Sequence, residues 1–288
     1  MQKVSLLVTT YNVKKHLAVT LESIERQDYA SIEVVIVDGG STDGTLAVIH
    51  EFAGRHESAV DSVQGSRNPA DMPKDADNEE HAWSEIKSPD AAGKDSRMHC
   101  RLTVRWVSEP DGGLYDAMNK AWTLCTGDIV AVCNDRLCTA DTVTKLVRAM
   151  ENGGEGCIGA HADLVYVDGE RIVRKWHMGE GALKDGWMPG HPTLFLKRQV
   201  YERYGVYDTS YRCAADYEFM VRFLKDRENR LAYVPEVLVS MFYGGTSNAG
   251  LRNYLVSFRE GYGALKKNGV RHPLLITVKR TFRVLAQF

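Results

Sequence analysis

The turn Asp111-Gly112-Gly113 has the residue types of a ligand-binding loop, and a predicted helix starts directly after it. Glycine has no Cβ atom, so a glycine turn lets the backbone come close to a polar ligand. The free backbone N–H groups at the start of the helix favour an anionic ligand there. The turn and the helix start therefore predict a site for a polar or negatively charged small molecule.

A second acid beside two glycines follows another predicted strand. Asp38 stands there, and a carboxylate at the end of a buried strand can accept hydrogen bonds from a base or a ribose. Tyr11 follows the first predicted strand, where its ring could stack on a base, and Thr9 and Asn12 line the same turn. The alternatives are structural: Asp38 as a turn residue or helix cap, and the other three as ordinary strand-end residues.

The composition excludes several classes of protein. Neither GxGxxG nor GxxxxGK[ST] occurs, which disfavours a dinucleotide enzyme and leaves mononucleotide binding open. The net charge of −2 gives no reason to expect nucleic acid as a partner. The six cysteines form no CxxC pair, which is typical of free thiols in a reducing compartment. The N-terminal apolar run is too short for a signal peptide, so we expect a cytoplasmic protein.

Alternating strand and helix patterns in the first half of the chain predict a parallel sheet with right-handed crossovers. The predicted strands are 4–10, 32–37, 102–107 and 129–133, and the predicted helices are 14–27 and one that runs through Leu46, Ile49 and Phe52. Ligands of such sheets bind at the carboxyl ends of the strands. We therefore expect Tyr11, Asp38, Asp111 and Asp135 to converge there.

The second half of the chain mixes strands and helices. The predicted strands are 158–167, 170–176, 191–196, 231–234 and 237–242, and the predicted helices are 141–150, 199–204 and 216–225. Asp168-Gly169 makes the first two strands a hairpin. Ser41 or Thr42 is expected to cap the second helix of the chain. Residues 56–101 are charged and lack periodicity, which predicts a surface insertion, at least partly mobile, and Gly244-Gly245 is expected to be a hinge or a close-approach site.

Four segments, in this order, resemble the family 2 nucleotide-sugar glycosyltransferases. They are VSLLVTTYNVKKHLAVTLESI, EVVIVDGGSTDGT, EPDGGLYDAMNKAWTLCTGDIV and GHPTLFLKRQVYERYGVYDTSYRCAADYEFMVRFL. The DGGLYDAMNK variant is similar to bacterial enzymes of capsule, exopolysaccharide and O-antigen assembly. The resemblance implies a single α/β domain of the GT-A fold over residues 1–245, Rossmann-like, with a mostly parallel central sheet flanked by helices. The insertion at 56–101 lies inside it, and a C-terminal helical extension follows at 246–288.

The resemblance also implies a role for each matching residue. Asp216 takes the position of the acid that deprotonates the acceptor hydroxyl, since an inverting transfer needs one base. The alternative for Asp216 is a helix cap, and Glu218 is the alternative base. The alternative for His191 is a histidine of the core, and the alternative for Met118 is a residue of the helix core. The nucleotide set is Thr9, Tyr11, Asn12, Asp38, Asp111 and Gly112, and the donor-sugar or acceptor set is Gly113, Tyr115, Met118, Asn119, Lys120, His191 and Glu218.

The metal motif departs from the resemblance. Family members have a run such as L-N-x-D-D or L-N-x-G-D after the fourth strand, and the run here, 132–137, is two residues shorter with Asp135 as its clear carboxylate. Asp135 is expected to hold Mg²⁺ or Mn²⁺ together with phosphate oxygens and water. Asn134 adds a neutral carbonyl, and Arg136 could supply positive charge near the phosphates.

Three functions follow from these residues. The first is an inverting glycosyltransferase that moves a sugar from a nucleoside diphosphate donor, expected to be a UDP-sugar, to a saccharide or lipid-linked acceptor in surface polysaccharide biosynthesis. Its basic and apolar C-terminus could rest on the inner membrane face or be a packed terminal helix. The second is a non-catalytic nucleotide-sugar-binding or assembly protein with the same fold, which the short metal motif motivates. The third is a nucleotidyltransferase, which the absence of a basic glycine-rich loop near the N-terminus disfavours.

Overall fold

The computed structural model describes residues 1–58, 101–243 and 250–285. The predicted insertion at 56–101 lies almost entirely outside the described residues, and so does the predicted hinge at Gly244-Gly245. The strands are β1 Val4–Thr10, β2 Ser31–Asp38, β3 Glu57–Ser58, β4 Arg101–Ser108, β5 Ile129–Val132, β6 Arg136–Leu137, β7 Cys157–Asp168, β8 Arg171–Trp176, β9 Phe195–Lys197 and β10 Arg230–Phe242. The helices are α1 Lys14–Glu25, α2 Thr45–Arg55, α3 Leu114–Leu124, α4 Thr142–Asn152, α5 Arg198–Tyr204, α6 Ala215–Leu224, α7 Gly250–Lys267 and α8 Pro273–Leu285.

The described strands form one mixed sheet in the order β3-β4-β2-β1-β5-β9-β7-β10-β6, and β8 pairs with β7. The neighbours from β3 to β5 in this order are parallel, as the alternating sequence pattern predicted. The short strand β9 runs antiparallel to β5 and to β7 and so joins the two halves of the sheet. The predicted α/β class with a mostly parallel sheet is confirmed.

Alternate side chains of β1 pack into cores on opposite faces of the sheet. Leu6 and Val8 belong to one core and Leu7 to the other, because successive side chains of a strand point to opposite faces. All residues of β1 are buried, which explains why its sequence is apolar almost throughout. Helices α1, α2 and α4 cover the first face, and α3, α5 and α6 cover the second.

The C-terminal helices pack against the helix that carries Asp216. Val221 of α6, Ala264 and Leu265 of α7, and Ile276 of α8 form a third core. The predicted C-terminal helical extension is therefore present, and it lies beside the carboxyl end of the sheet's second half. No helix in the described part of the chain is long and apolar enough to cross a membrane.

Two strand predictions in the second half were wrong in detail. Residues 191–196 were expected to be one strand, but His191–Thr193 form a short 3-10 turn and the strand begins at Phe195. Pro192 has no N–H to donate to a ladder, and the Thr193 N–H turns back to the Gly190 carbonyl. The strands predicted at 231–234 and 237–242 are the single strand β10, whose register against β7 shifts between Val234 and Val237.

The predicted cap of α2 was also wrong. Gly44 precedes the helix with φ of 90°, and the N–H of Thr45, the first residue of the helix, donates to the Asp43 side chain rather than to Ser41 or Thr42. The Ser41 hydroxyl instead donates to Asp38 and accepts the N–H of Asn12. The Thr42 N–H donates to the side-chain oxygen of Asn12. Both residues therefore hold the loop after β2 rather than the helix that follows it.

Candidate functional site

Asp38 ties together three strand ends beneath the first glycine turn. Its carboxylate is fully buried and accepts hydrogen bonds from the Thr10, Ser41 and Ser108 hydroxyls. The N–H groups of Gly40 and Ser41 donate to it as well. Because these donors occupy the carboxylate, Asp38 fixes the loop and presents no free oxygen to a ligand. We call Asp38 and its five donors the turn cluster.

Tyr11 and Asp111 lie side by side above the turn cluster. A Cβ atom on Gly39 would lie 2.7 Å from Asp111 Oδ2 and 3.4 Å from Tyr11 Cδ2. The Asp111 carboxylate therefore uses the space that the missing side chain of Gly39 leaves. Its other oxygen accepts the Gly113 N–H at 2.8 Å, and Tyr11 is 63% exposed. The structure thus brings Tyr11 and Asp111 together on an accessible surface.

A cavity of about 370 Å³ lies next to this surface, at the carboxyl ends of the strands. This volume falls in the range of small-molecule sites, roughly 300–1,000 Å³. The residues lining it that the sequence had singled out are Tyr115, Met118, Asn134, Asp135, His191 and Asp216. We call it the cavity.

Asp216 stands in the first turn of α6 with one oxygen engaged. Asp216 Oδ1 accepts the Tyr115 hydroxyl at 3.2 Å and the Tyr217 N–H at 2.8 Å. Burial, and next the Asp216 charge, raise the pKa of Tyr115 far above its usual value, so Tyr115 remains a hydrogen-bond donor. Tyr115 thus orients the carboxylate, and Oδ2 accepts neither of these two bonds. This arrangement suits a general base.

His191 lies close to Asp216 and is held by a tyrosine. Its Nε2 is 2.9 Å from the Tyr207 hydroxyl. Burial lowers the pKa of His191, and the Asp216 charge opposes that shift. The net lowering makes the neutral imidazole the dominant form near pH 7. His191 is therefore a hydrogen-bonding group of the cavity wall.

Asn134 and Asp135 have different roles in the shortened motif. The Asn134 side-chain oxygen accepts the Thr9 N–H, and the Asn134 amide nitrogen donates to the Thr9 hydroxyl, both at 2.8 Å. Burial raises the pKa of Asp135 to about 6, against a hydrogen bond from the Phe242 backbone. Arg136 belongs to β6, where it pairs with Ser240, and does not line the cavity. Among the described residues no group of three or more His, Cys, Asp and Glu could hold a metal ion.

Four residues of the predicted donor-sugar or acceptor set do not line the cavity: Gly113, Asn119, Lys120 and Glu218. The Asn119 side chain clamps the Tyr207 backbone through its N–H and its carbonyl. Lys120 binds Glu109 and the Pro110 carbonyl. Glu218, the alternative base, is buried in contacts with Arg222 and Asn268. Met118 lines the cavity and is also buried in the helix core.

The residues of the cavity wall that the sequence reasoning missed include three aromatic residues and two arginines: Tyr166, Trp176, Trp187, Arg280 and Arg283. No motif marks the three aromatic residues. For Arg280 a signal existed, because it lies four residues after Ile276 and so on the same side of α8. Ile276 is buried in the third core, and that side of the helix must therefore face the protein.

Known proteins match this chain in sequence and in fold. The family model described as Glycosyl transferase family 2 matches residues 5–68 and 87–222. A PGL/p-HBAD biosynthesis glycosyltransferase of Mycobacterium bovis is 28% identical over 255 residues, which cover 85% of this chain and 78% of that protein.

Two solved structures share the fold at low sequence identity. TarS 1–349 of S. aureus in complex with UDP-GlcNAc has a TM-score of 0.62 at 16% identity, covering 99% of this chain and 73% of that one. The mannosyltransferase PcManGT of Pyrobaculum calidifontis, in complex with GDP-Man and Mn²⁺, has a TM-score of 0.58 at 19% identity, covering 99% and 71%.

The sheet and these structural matches define the GT-A fold. The family match covers more than half of the chain. The chain therefore belongs to glycosyl transferase family 2.

Proposed function

We propose that this protein is an inverting glycosyltransferase that transfers a sugar from a nucleoside diphosphate sugar, a UDP-sugar, to a saccharide or lipid-linked acceptor. We further propose that it serves surface polysaccharide assembly, on the resemblance to capsule, exopolysaccharide and O-antigen enzymes. The observation that carries the proposal is the placement of Asp216 in the cavity, with Tyr115 holding one of its oxygens. Tyr11 and Asp111 are proposed to bind the nucleoside at the adjoining surface.

Asp216 would act on the acceptor in a single displacement. Its free oxygen takes the proton of the acceptor hydroxyl as that oxygen attacks the anomeric carbon. The bond between the anomeric carbon and the β-phosphate oxygen breaks on the opposite side, and its electron pair leaves with the nucleoside diphosphate. Attack from the face opposite the leaving group inverts the anomeric configuration.

A divalent cation, Mg²⁺ or Mn²⁺, fits this site if the donor carries most of its coordination. Asp135 would be its carboxylate ligand, since the Asn134 amide is already bound to Thr9. Magnesium commonly uses one or two carboxylates together with substrate phosphates and water. The ion would supply positive charge to the diphosphate. Calorimetric titration of UDP with Mn²⁺ and with chelator, on wild type and Asp135→Asn, tests this: equal affinities throughout would exclude an ion at Asp135.

The alternative function is a non-catalytic protein that binds the nucleotide sugar. It rests on the small number of metal ligands that the chain offers, because Asp135 is the one carboxylate proposed for the ion and the Asn134 amide is bound to Thr9. A panel of sugar nucleotides, assayed for transfer and hydrolysis, separates the two functions. We expect turnover by wild type and a loss of about 10²- to 10⁴-fold in Asp216→Asn. The matched control is Glu218→Gln on the same helix, which should keep its activity once thermal unfolding shows that it is folded. Binding without any turnover would favour the non-catalytic function, and full activity of Asp216→Asn would exclude it as the base.

Contact with an anionic membrane surface is part of the proposal. Leu274 and Leu275 at the start of α8 are 59% and 54% exposed, and the exposed Lys266 and Arg271 are close to them in the chain. Apolar side chains beside cations suit the interface of an anionic leaflet. Co-flotation with vesicles containing anionic lipid should exceed that with zwitterionic vesicles and should fall in the double variant Leu274→Ser, Leu275→Ser. Equal flotation of wild type and variant would refute the contact.

A further inference from the structure

Helix α8 places two arginines in the cavity that also holds Asp216 and Asp135. Both come from the C-terminal extension, which no motif of the sequence connected with the site. Arg280 is partly buried and Arg283 is exposed. The cavity therefore has two carboxylates on the sheet and α6 side and two guanidinium groups on the α8 side.

The position of Arg280 is fixed by close packing. Its Cζ lies 4.0 Å from the centre of the Tyr217 ring, next in sequence to Asp216. A Cβ atom on Gly261 of α7 would lie 2.5 Å from Arg280 Nη1, and one on Gly186 would collide with the Arg280 backbone. Side chains at these two glycines would push the guanidinium or its helix away. The packing thus holds the charge against α6.

Neither arginine has an ion-pair partner among the described residues. Other arginines of the chain do: Arg222 binds Glu218, and Arg55 binds Glu25 and Glu51. A partly buried charge without a counter-ion is unfavourable, so its presence in a cavity points to an anionic ligand. Arginine has the fork of donors that phosphate oxygens match.

The diphosphate of the proposed donor is an anion of the kind that the two arginines would bind. The leaving nucleotide gains a further negative charge when the bond to the anomeric carbon breaks. The described chain offers one carboxylate, Asp135, for a cation at this point. Fixed cations aimed at a developing charge are a large source of rate enhancement.

We infer that Arg280, with Arg283 beside it, binds the diphosphate of the donor and neutralises the charge on the leaving nucleotide. This inference rests on the proposed function. Arg280 acts by hydrogen bonds and charge alone. The β-phosphate oxygen receives the electron pair of the broken bond.

Calorimetric binding of UDP and UMP tests the inference without activity. Wild type should bind UDP more tightly than UMP, both with Mn²⁺ and with chelator. Arg280→Gln should weaken UDP binding about ten- to a hundredfold and bring it close to that of UMP, whose affinity should change little. Arg280→Lys should restore part of the difference. Lys279→Gln is the matched control, because Lys279 on the same helix binds Asp185 outside the cavity.

The outcomes separate this inference from the proposed function. If wild type prefers UDP and Arg280→Gln keeps that preference while folded, the role of Arg280 is refuted and the proposed function stands. If Arg280→Gln weakens UMP and UDP equally, the arginine supports the fold of the site rather than the diphosphate, and the inference also fails. If wild type binds none of UDP, GDP and dTDP, the proposed function fails together with it.

Discussion

The turn cluster and the cavity both hold an aspartate at the carboxyl edge of the sheet, but the two carboxylates have different surroundings. Asp38 is fully buried and accepts five hydrogen bonds from its own loop and from neighbouring strands. Among the described residues Asp216 accepts two, both at Oδ1, and it lines the cavity together with Arg280.

This difference separates structural acids from acids that can react. A carboxylate whose lone pairs are all occupied stabilises the chain but has nothing left for a substrate. A carboxylate with one oxygen open to a cavity remains accessible to a substrate. Asp38 ends β2 and Asp216 begins α6, yet both lie at the carboxyl edge of the sheet, so this location alone does not distinguish them.

Exchanging each aspartate for alanine is the strongest test of this comparison. Asp38→Ala leaves several buried donors without an acceptor, and we expect it to lower the free energy of unfolding by about 4 kcal/mol. Asp216→Ala should change that free energy by less than about 1 kcal/mol, while it abolishes transfer. Urea denaturation measures both. Equal stabilities of the two variants would show that the hydrogen bonds of the turn cluster do not hold the loop.

His161, behind the cavity wall, extends the comparison to a buried side chain whose ring nitrogens have no hydrogen-bond partner among the described residues. His161 is buried, and its ring lies 5.3 Å from that of Trp187. Burial lowers its pKa from 6.5 to about 4. Between these pH values the unfolded chain binds a proton that the folded chain does not. The free energy of unfolding must therefore fall as the pH falls through this window.

We expect His161 to contribute about 3 kcal/mol to this fall between pH 6.5 and pH 4. The measurement is a series of urea denaturations across that range. His161→Phe should show a shallower dependence on pH, and His50→Gln, at an exposed position, should follow the wild type. Parallel curves for wild type and His161→Phe would mean that His161 titrates normally in the folded state.

The elements of the first half were predictable because local patterns determine them. The strand β1 is apolar on both faces, and the helix after it has its leucines on one side, so both follow from spacing. The structure of the segment at 191–196 was not predicted correctly, because Pro192 interrupts an otherwise strand-like run. The joining of 231–234 and 237–242 into one strand depends on pairing with β7, which no local pattern contains.

Site residues were predictable only where they belong to a sequence motif. Asp216, Tyr115 and His191 lie in recognised segments, and the structure brings them into one cavity. Arg280 lies outside every such segment and reaches the cavity through the packing of α8 on α6 and α7. Residues of one motif can also diverge: Tyr115 and Lys120 are five positions apart on α3, and only Tyr115 faces the cavity.

Lys120 gives the smallest and most discriminating prediction. The resemblance assigns it to the sugar-nucleotide, but its ammonium group lies 2.8 Å from Glu109 and 3.1 Å from the Pro110 carbonyl. The hydrogen bond to Glu109 is the main reason why its pKa is raised. Because the pair is partly exposed, Lys120→Met should lower the free energy of unfolding by at most about 1 kcal/mol and leave UDP affinity within about twofold of wild type.

The same calorimetric titration that tests Arg280 decides the role of Lys120, and Lys145→Met, another partly exposed lysine bound to two acids, serves as its control. A tenfold loss of UDP affinity in Lys120→Met alone would return this lysine to the donor site. In that case the turn region would also supply charge to the ligand, and the division between a structural turn cluster and a reactive cavity would fail. An unchanged affinity, set against a loss in Arg280→Gln, would instead place the phosphate-binding charge on α8.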